Sequence, residues 1–94
     1  MSVVVTAVAP FTADMYDAVT ERVMPEGQLP EGCQLHIAGP VEQGWRVITV
    51  WDTAEAFNSF REEKLLPAIG EVSGREAPDQ VQPEIDPVHR LITD

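Results

Sequence analysis

The first part of the chain has an apolar run followed by apolar residues at helical spacing. This pattern predicts a strand and then a helix. Val3–Ala9 is a short apolar run rich in β-branched residues, which is typical of a buried strand. Thr12, a residue type that often caps helices, follows it. Beyond Thr12, apolar residues recur at helical spacing at Met15, Val19 and Val23.

The middle of the chain predicts a hairpin followed by a second helix. Cys33–Ala38 and Trp45–Trp51 have strand character, and the short glycine- and proline-containing connection between them favours antiparallel pairing. Asp52 is expected to cap the next helix, because Glu55 three residues later completes a capping box. Thr53 is the competing cap.

The last third predicts a restarted helix, a loop and an edge strand. Pro67 should kink or restart the second helix near Leu66, and residues 70–80 have the glycine, proline and charge content of a loop. Val81–Ile92 is extended, and its two prolines suit an edge or bulged strand. The order strand, helix, strand, strand, helix, strand predicts one α+β domain over 1–94, the ferredoxin-like split βαβ pattern with both helices on one face of the sheet.

Both faces of this sheet are apolar, although a sheet with one wet face should alternate apolar and polar residues. Alternation separates two sets of side chains. The aliphatic set is expected to face the helices: Leu35, Ile37, Ile48 and Val50. The mixed set is expected on the opposite face: Gln34, His36, Trp45, Thr49 and Trp51. Leaving that face in water would forfeit roughly 1.5–3 kcal/mol for each large apolar side chain, so a second copy of the chain is expected to cover it.

Charge and composition narrow the partners. Sixteen acidic and six basic residues give a net charge of -10, which disfavours nucleic acid and anionic membranes. Cys33 is the single cysteine, so no intramolecular disulfide is expected. The apolar start carries no basic region of the kind that opens a signal peptide, and no apolar run reaches bilayer length. A cytoplasmic protein is the expectation.

Several segments together resemble a known superfamily. They are His36-Ile37-Ala38-Gly39-Pro40, Gly44-Trp45-Arg46-Val47, Val50-Trp51-Asp52, and Glu55-Ala56-Phe57 with Phe60. The chain is similar to the dimeric α+β barrel proteins, specifically to small proteins of the antibiotic biosynthesis monooxygenase type. Pro87-Val88-His89 resembles the short actinobacterial members. The resemblance implies a homodimer and, in some relatives, cofactor-free oxygenation or cyclisation of aromatic polyketides. Other relatives degrade haem or have no assigned role.

Four side chains are the main candidates for a site. His36 could act as a general base, because the pKa of histidine is near neutrality, or it could be a hydrogen-bonded histidine of the dimer core. Trp45 and Trp51 could stack on a flat ligand or anchor an interface. Tyr16 could present its hydroxyl to a pocket mouth, although an amphipathic surface position is the commoner role.

Other polar residues have weaker claims. Gln34 or Thr49 could hydrogen-bond a ligand carbonyl, and His89 could line the pocket or the dimer seam. Arg46 could orient an acidic or enolate oxygen, but a salt bridge with Glu42 explains it as well. No metal-ligand spacing and no phosphate loop is present, so neither a metal nor a cofactor is expected.

Three hypotheses follow from these residues. The first is a cofactor-free enzyme that removes a proton from an aromatic or polyketide-like molecule through His36. The second is a homodimer that binds a small hydrophobic or aromatic molecule without changing it, and the third is a structural homodimer with a filled core. A void beside His36 separates the first two from the third.

Overall fold

The strands and helices follow one another in the predicted order. The structure, a computed structural model, describes residues 2–74 and 83–92. The elements are β1 (Val3–Ala9), α1 (Ala13–Val23), β2 (Cys33–Val41), β3 (Gly44–Trp51), α2 (Ala54–Phe60), α3 (Leu66–Ser73) and β4 (Glu84–Pro87). A short 3₁₀ turn, Pro25–Gly27, follows α1, and a widened helical turn, Arg61–Leu65, joins α2 to α3.

The four strands form one sheet in the order β2-β3-β1-β4, and every neighbouring pair is antiparallel. β2 and β3 form the predicted hairpin, and β1 returns to the centre beside β3. The helices cover one face. The α+β ferredoxin-like fold is therefore confirmed.

The ends of three elements differ from the predictions. β2 continues to Val41, beyond the predicted end at Ala38, because it keeps pairing with β3 up to the turn. α3 continues to Ser73 into the predicted loop 70–80, of which 75–80 lie outside the described residues. Within the predicted strand Val81–Ile92, pairing with β1 is restricted to Glu84–Pro87, and 81–82 lie outside the described residues.

Threonine hydroxyls cap the two main helices. The Met15 N–H donates to Thr12 Oγ1 at 3.2 Å, as predicted. The prediction for the second helix was wrong, because Thr53 rather than Asp52 is the cap. The Ala56 N–H donates to Thr53 Oγ1 at 3.1 Å. The Asp52 N–H is held by the Gly32 carbonyl at 2.8 Å, which keeps Asp52 at the end of the strand.

The helix continues from α2 to α3 through the widened turn, and α-helical geometry resumes at Leu66. The Leu66 N–H donates to the Arg61 carbonyl five residues earlier, one residue further than in an α-helix. Pro67 is the second residue of α3, where a missing N–H costs little. The predicted restart near Leu66 is confirmed.

The assignment of the two sheet faces was wrong, although the alternation itself was right. Residues paired across the strands share a face, and the row His36–Thr49–Val5 and the row of Trp51 and Val3 face the helices. Leu35, Ile37, Ile48 and Val50 lie on the other side, which we call the outer face. Side-chain size suggested the opposite arrangement. The helices carry aromatic residues of their own, and these pack on the bulky set rather than on the aliphatic one.

The interior divides into two apolar clusters. Val5, Trp51 and Phe57 form one under α2, and Val19, Ala68 and Ile69 form the other between α1 and α3. Each residue is at most 5% exposed. The two clusters do not merge, and the space between them is the cavity described next.

Candidate functional site

A cavity of about 100 Å³ lies between the sheet and the helices and is partly open to solvent. Residues from β1, β2, β3 and all three helices line it. An engineered cavity of roughly 150 Å³ takes up benzene, so this space is of the size of one aromatic ring. The void beside His36 argues against a filled core. A multi-ring ligand would have to leave part of itself outside the mouth.

Small side chains in the sheet create the space. Ala7 and Val47 are cross-strand partners on the helix-facing side, between the rows that hold Trp45 and Trp51. α1 presents one helical stripe to the same space, namely Tyr16, Val19, Thr20 and Val23. The lining is therefore mostly apolar, with two bulky rings at its ends.

Tyr16 and His36 form a hydrogen-bonded pair in the wall of the cavity. The distance between Tyr16 Oη and His36 Nε2 is 2.5 Å, and α1 and β2 supply the two residues from positions 20 apart in sequence. The Tyr16 ring also lies against Trp45, with ring centroids 5.3 Å apart. Tyr16 thus lines the cavity, which agrees with the pocket position named for it rather than with an open surface position.

Two buried polar atoms of the site have no hydrogen-bond partner within residues 2–74 and 83–92. They are Nδ1 of His36 and Nε1 of Trp45. A buried donor or acceptor without a partner costs about 1–3 kcal/mol. Such atoms are commonly explained by a function or by a bound molecule.

The other tryptophan is satisfied and structural. Trp51 is 1% exposed, and its Nε1 donates to Thr49 Oγ1 at 2.8 Å. Its ring contacts Phe57 edge-on, with centroids 5.7 Å apart, and Phe60 at 5.2 Å. Thr49 therefore holds Trp51 in place, and its hydroxyl keeps its hydrogen and one lone pair for another partner.

Burial lowers the pKa of the His36 imidazole from its usual 6.5, because the charged form loses hydration. His36 is therefore neutral at neutral pH and can accept a proton. Two neutral forms of the pair exist. In one, Tyr16 donates to Nε2 and the ring proton sits on Nδ1; in the other, Nε2–H donates to Tyr16.

Acid should weaken the fold through His36. The unfolded chain takes up the proton as pH falls through about 6.5, whereas the folded chain resists it, so the free energy of unfolding decreases as pH falls below that value. Urea unfolding at about pH 7.5 and about pH 5 should show a smaller loss in His36→Gln than in wild type. His89→Gln, which changes an exposed histidine, should behave as wild type. An equal loss in His36→Gln would contradict the lowered pKa.

Arg61 is a residue of the site that the sequence interpretation missed. The charged run Arg-Glu-Glu-Lys at 61–64 predicts a mostly solvent-facing segment, but Arg61 is only partly exposed and lines the cavity. Residues four apart in an α-helix drift by about 40° around the axis at each step. The widened turn reduces this drift, so Phe57, Arg61, Leu65 and Ile69 all reach the cavity.

Three predicted residues lie away from the cavity. Gln34 is exposed beside an irregularity in β2, and its Nε2 donates to Asp52 Oδ1 at 2.6 Å. His89 is exposed beyond β4, and Arg46 is exposed on the outer face. None of the three is positioned to contact a ligand in the cavity of the same protomer.

Cys33 is a half-buried free thiol. Burial raises the pKa of the Cys33 thiol, a backbone hydrogen bond with Leu35 opposes this, and the charge of Asp52 adds to the rise. The described residues contain no cluster of three potential metal ligands. None of the helices in the described ranges is long and apolar enough to cross a bilayer.

Comparison with known proteins identifies the fold. No protein-family model matches the chain, and no curated protein matches it in sequence. Among solved structures it is similar to a candidate antibiotic biosynthesis monooxygenase from Deinococcus radiodurans, with a TM-score of 0.61 and 15% identity over 100% of this chain and 98% of that one. It is also similar to a variant of SnoaB, a cofactor-independent oxygenase from Streptomyces nogalater, with a TM-score of 0.58 and 12% identity over 99% and 96%.

Similarity at this level of sequence identity shows the fold but not the activity. The actinobacterial subtype suggested by Pro87-Val88-His89 stays a prediction. The chain has the α+β fold of these two structures, and the predicted resemblance is confirmed as a likeness of fold.

Proposed function

We propose that the protein is a cofactor-free enzyme that removes a proton from an activated carbon of an aromatic or polyketide-like molecule. The observation that carries this proposal is the Tyr16–His36 hydrogen bond in the wall of an apolar cavity. A neutral imidazole in a largely apolar site is a competent general base. The fold of a cofactor-independent oxygenase supports the same class of chemistry.

The proton reaches His36 through Tyr16. Nε2 of His36 already contacts the Tyr16 hydroxyl, and Nδ1 is shielded from solvent. The phenol oxygen takes the substrate proton while its own proton passes to Nε2. The pair thus acts as one base, in the way that an oriented hydrogen-bonded pair does in hydrolases.

Trp45 stabilises the negative charge that deprotonation leaves on the substrate. Its indole N–H is a buried donor without a partner in the described part of the chain, and its ring contacts Tyr16. An enolate oxygen accepts from such a donor. A preorganised donor in a water-poor site stabilises a developing oxyanion more than water does.

Two outcomes are open to the carbanion. In oxygenation, a CH₂ group reacts with O₂, becomes a carbonyl, and the second oxygen atom leaves as water, so no external electron donor is required. In cyclisation, the carbanion attacks a carbonyl of the same molecule. Both begin with the same proton transfer. The alternative of binding without turnover is supported by the largely apolar lining.

Aromatic compounds with an acidic CH₂ group provide the test. The protein should convert one of them, with oxygen uptake if it is an oxygenase and with unchanged oxygen if it is a cyclase. Tight binding with neither product nor oxygen uptake across the series would support the alternative. No binding at all would argue against both.

We also propose that two copies pair through the outer face. Its central residues are aliphatic, and two of them are well exposed, Val8 at 39% and Ile37 at 53%. Two chains of net charge -10 repel, so an uncharged self-complementary strip is where they can approach. Arg46 lies near one side of this face and Glu84 and Asp86 at the opposite edge, so a two-fold contact can pair them.

Ile37→Glu should convert the dimer to a monomer. A charge buried without a partner at the interface should weaken association by at least about a hundredfold. Sedimentation at micromolar concentration measures this. Leu29→Glu is the matched control, because Leu29 is 43% exposed in a loop outside the sheet. A monomeric wild type, or a variant that still dimerises, would contradict pairing through this face.

A further inference from the structure

The cavity has an unusual charge environment for so acidic a protein. The chain carries sixteen acidic residues and six basic ones. Yet no aspartate or glutamate is among the described residues that line the cavity, and one arginine, Arg61, is. An anion that the protein repels as a whole therefore meets one arginine and no acidic side chain among the described residues that line this cavity.

We infer that Arg61 is an anion subsite of the cavity and that the ligand is a single-ring aromatic carboxylate. This inference rests on the proposed function, since it names the molecule that the same cavity would take. The size of the cavity indicates that the ligand has a single aromatic ring. About 100 Å³ is of the size of one ring, and the wall is apolar apart from a few groups.

The position of Arg61 indicates that the ligand carries a carboxylate. Arg61 is partly exposed and lines the cavity, so it borders both the apolar interior and solvent. A carboxylate attached to a ring inside would stay partly hydrated there, which avoids the large cost of burying an ion. Arg61 also has an interaction of its own. A guanidinium has five N–H donors, so holding a carboxylate does not require it to give up that contact.

The helix geometry maintains this arrangement. The Leu66 N–H to Arg61 carbonyl bond widens the turn at the point where Arg61 stands, and Glu62 and Glu63 next to it remain exposed. Widened turns of this kind often occur at functional sites. One cation is thereby turned inward while the neighbouring acids stay outside.

A matched pair of probes tests the inference, phenylacetate and its methyl ester. Both carry the same ring, and only the first is an anion. Tryptophan fluorescence titration should show that Arg61→Gln weakens phenylacetate binding by about tenfold to a hundredfold, since a charge-assisted hydrogen bond is lost. Binding of the ester should change by less than about twofold. Arg61→Lys, which keeps the charge but not the two-pronged geometry, should fall between.

Arg22→Gln is the control for net charge. Arg22 is an exposed arginine paired with Glu71 at 3.3 Å on the surface of α1, and its loss changes net charge by the same amount. It should bind phenylacetate as wild type does. Equal weakening of acid and ester in Arg61→Gln, equal weakening in both arginine variants, or no binding of phenylacetate by wild type would each overturn the inference.

The outcome is independent of catalysis. Binding of the two probes is measured without turnover, so the loss of acid binding in Arg61→Gln can be read whether or not the protein is an enzyme. A protein that turns over neutral aromatic compounds but ignores the carboxylate keeps the proposed function and loses this inference. A protein that binds the carboxylate through Arg61 but never reacts keeps this inference and loses the proposed function.

Discussion

Trp51→Ala should lower the free energy of unfolding by about 3–5 kcal/mol, the usual cost of truncating a buried aromatic residue. Trp51 is 1% exposed and contacts both Phe57 and Phe60. The truncation leaves a hole in the cluster under α2. It also removes the donor to Thr49. Native domains are stable by about 5–15 kcal/mol, so this loss is a large fraction of the total and should appear as a much lower urea midpoint.

Milder variants keep this prediction measurable if Trp51→Ala does not fold. Trp51→Phe retains most of the ring volume and should cost less, and Thr49→Val should cost about 1–3 kcal/mol because it leaves the Trp51 N–H buried without a partner. Trp45→Phe is the matched control, because Trp45 has no such bond to lose. A loss below about 1 kcal/mol in Trp51→Ala would show that the ring is not part of the protomer's own core.

His36→Gln should reduce turnover of a responsive substrate by about a hundredfold to ten-thousandfold, the range attributed to a general base. Glutamine preserves the size and polarity of the side chain but cannot take up a proton at neutral pH. The proposed proton relay also requires the Tyr16 hydroxyl. Tyr16→Phe should lose nearly as much, because the proton then has no path to Nε2.

The double variant separates a relay from two independent roles. When two residues act as one unit, removing both costs little more than removing one. His36→Gln with Tyr16→Phe should therefore turn over at about the rate of His36→Gln alone. Multiplied losses would show that the two groups act separately. His89→Gln should keep full activity, and unchanged turnover in His36→Gln would remove His36 from the mechanism.

The element order was predictable from sequence because it depends on local patterns. The β-branched run of Val3–Ala9, the helical spacing after Thr12 and the short turn between β2 and β3 each act within a few residues. Local patterns also separated the sheet into two sets of side chains. They could not tell which set meets the helices, because both sets are apolar and the answer depends on Phe57 and Phe60 meeting Trp51.

The site was only partly predictable for the same reason. Strand alternation places four residues of the site on one face of the sheet, so the sequence predicts them together: His36, Trp45, Thr49 and Trp51. The contact of His36 with Tyr16 is tertiary, because it joins residues 20 positions apart in sequence. The position of Arg61 in the cavity wall was not predictable from sequence, because a helical pattern assumes a uniform turn. The turn at Arg61–Leu65 is wider than that of an α-helix. The dimer proposed above would use the aliphatic outer face, which is the set of side chains opposite to the one expected.

A structure of the protein crystallised with phenol tests most directly whether each protomer holds its ligand beneath its own helices. The ring should lie against Ala7 and Val47, with its hydroxyl within hydrogen-bonding distance of the Tyr16–His36 pair or the Trp45 indole. Phenol seated instead on the aliphatic side of the sheet, or a space closed by repacked side chains, would contradict the account.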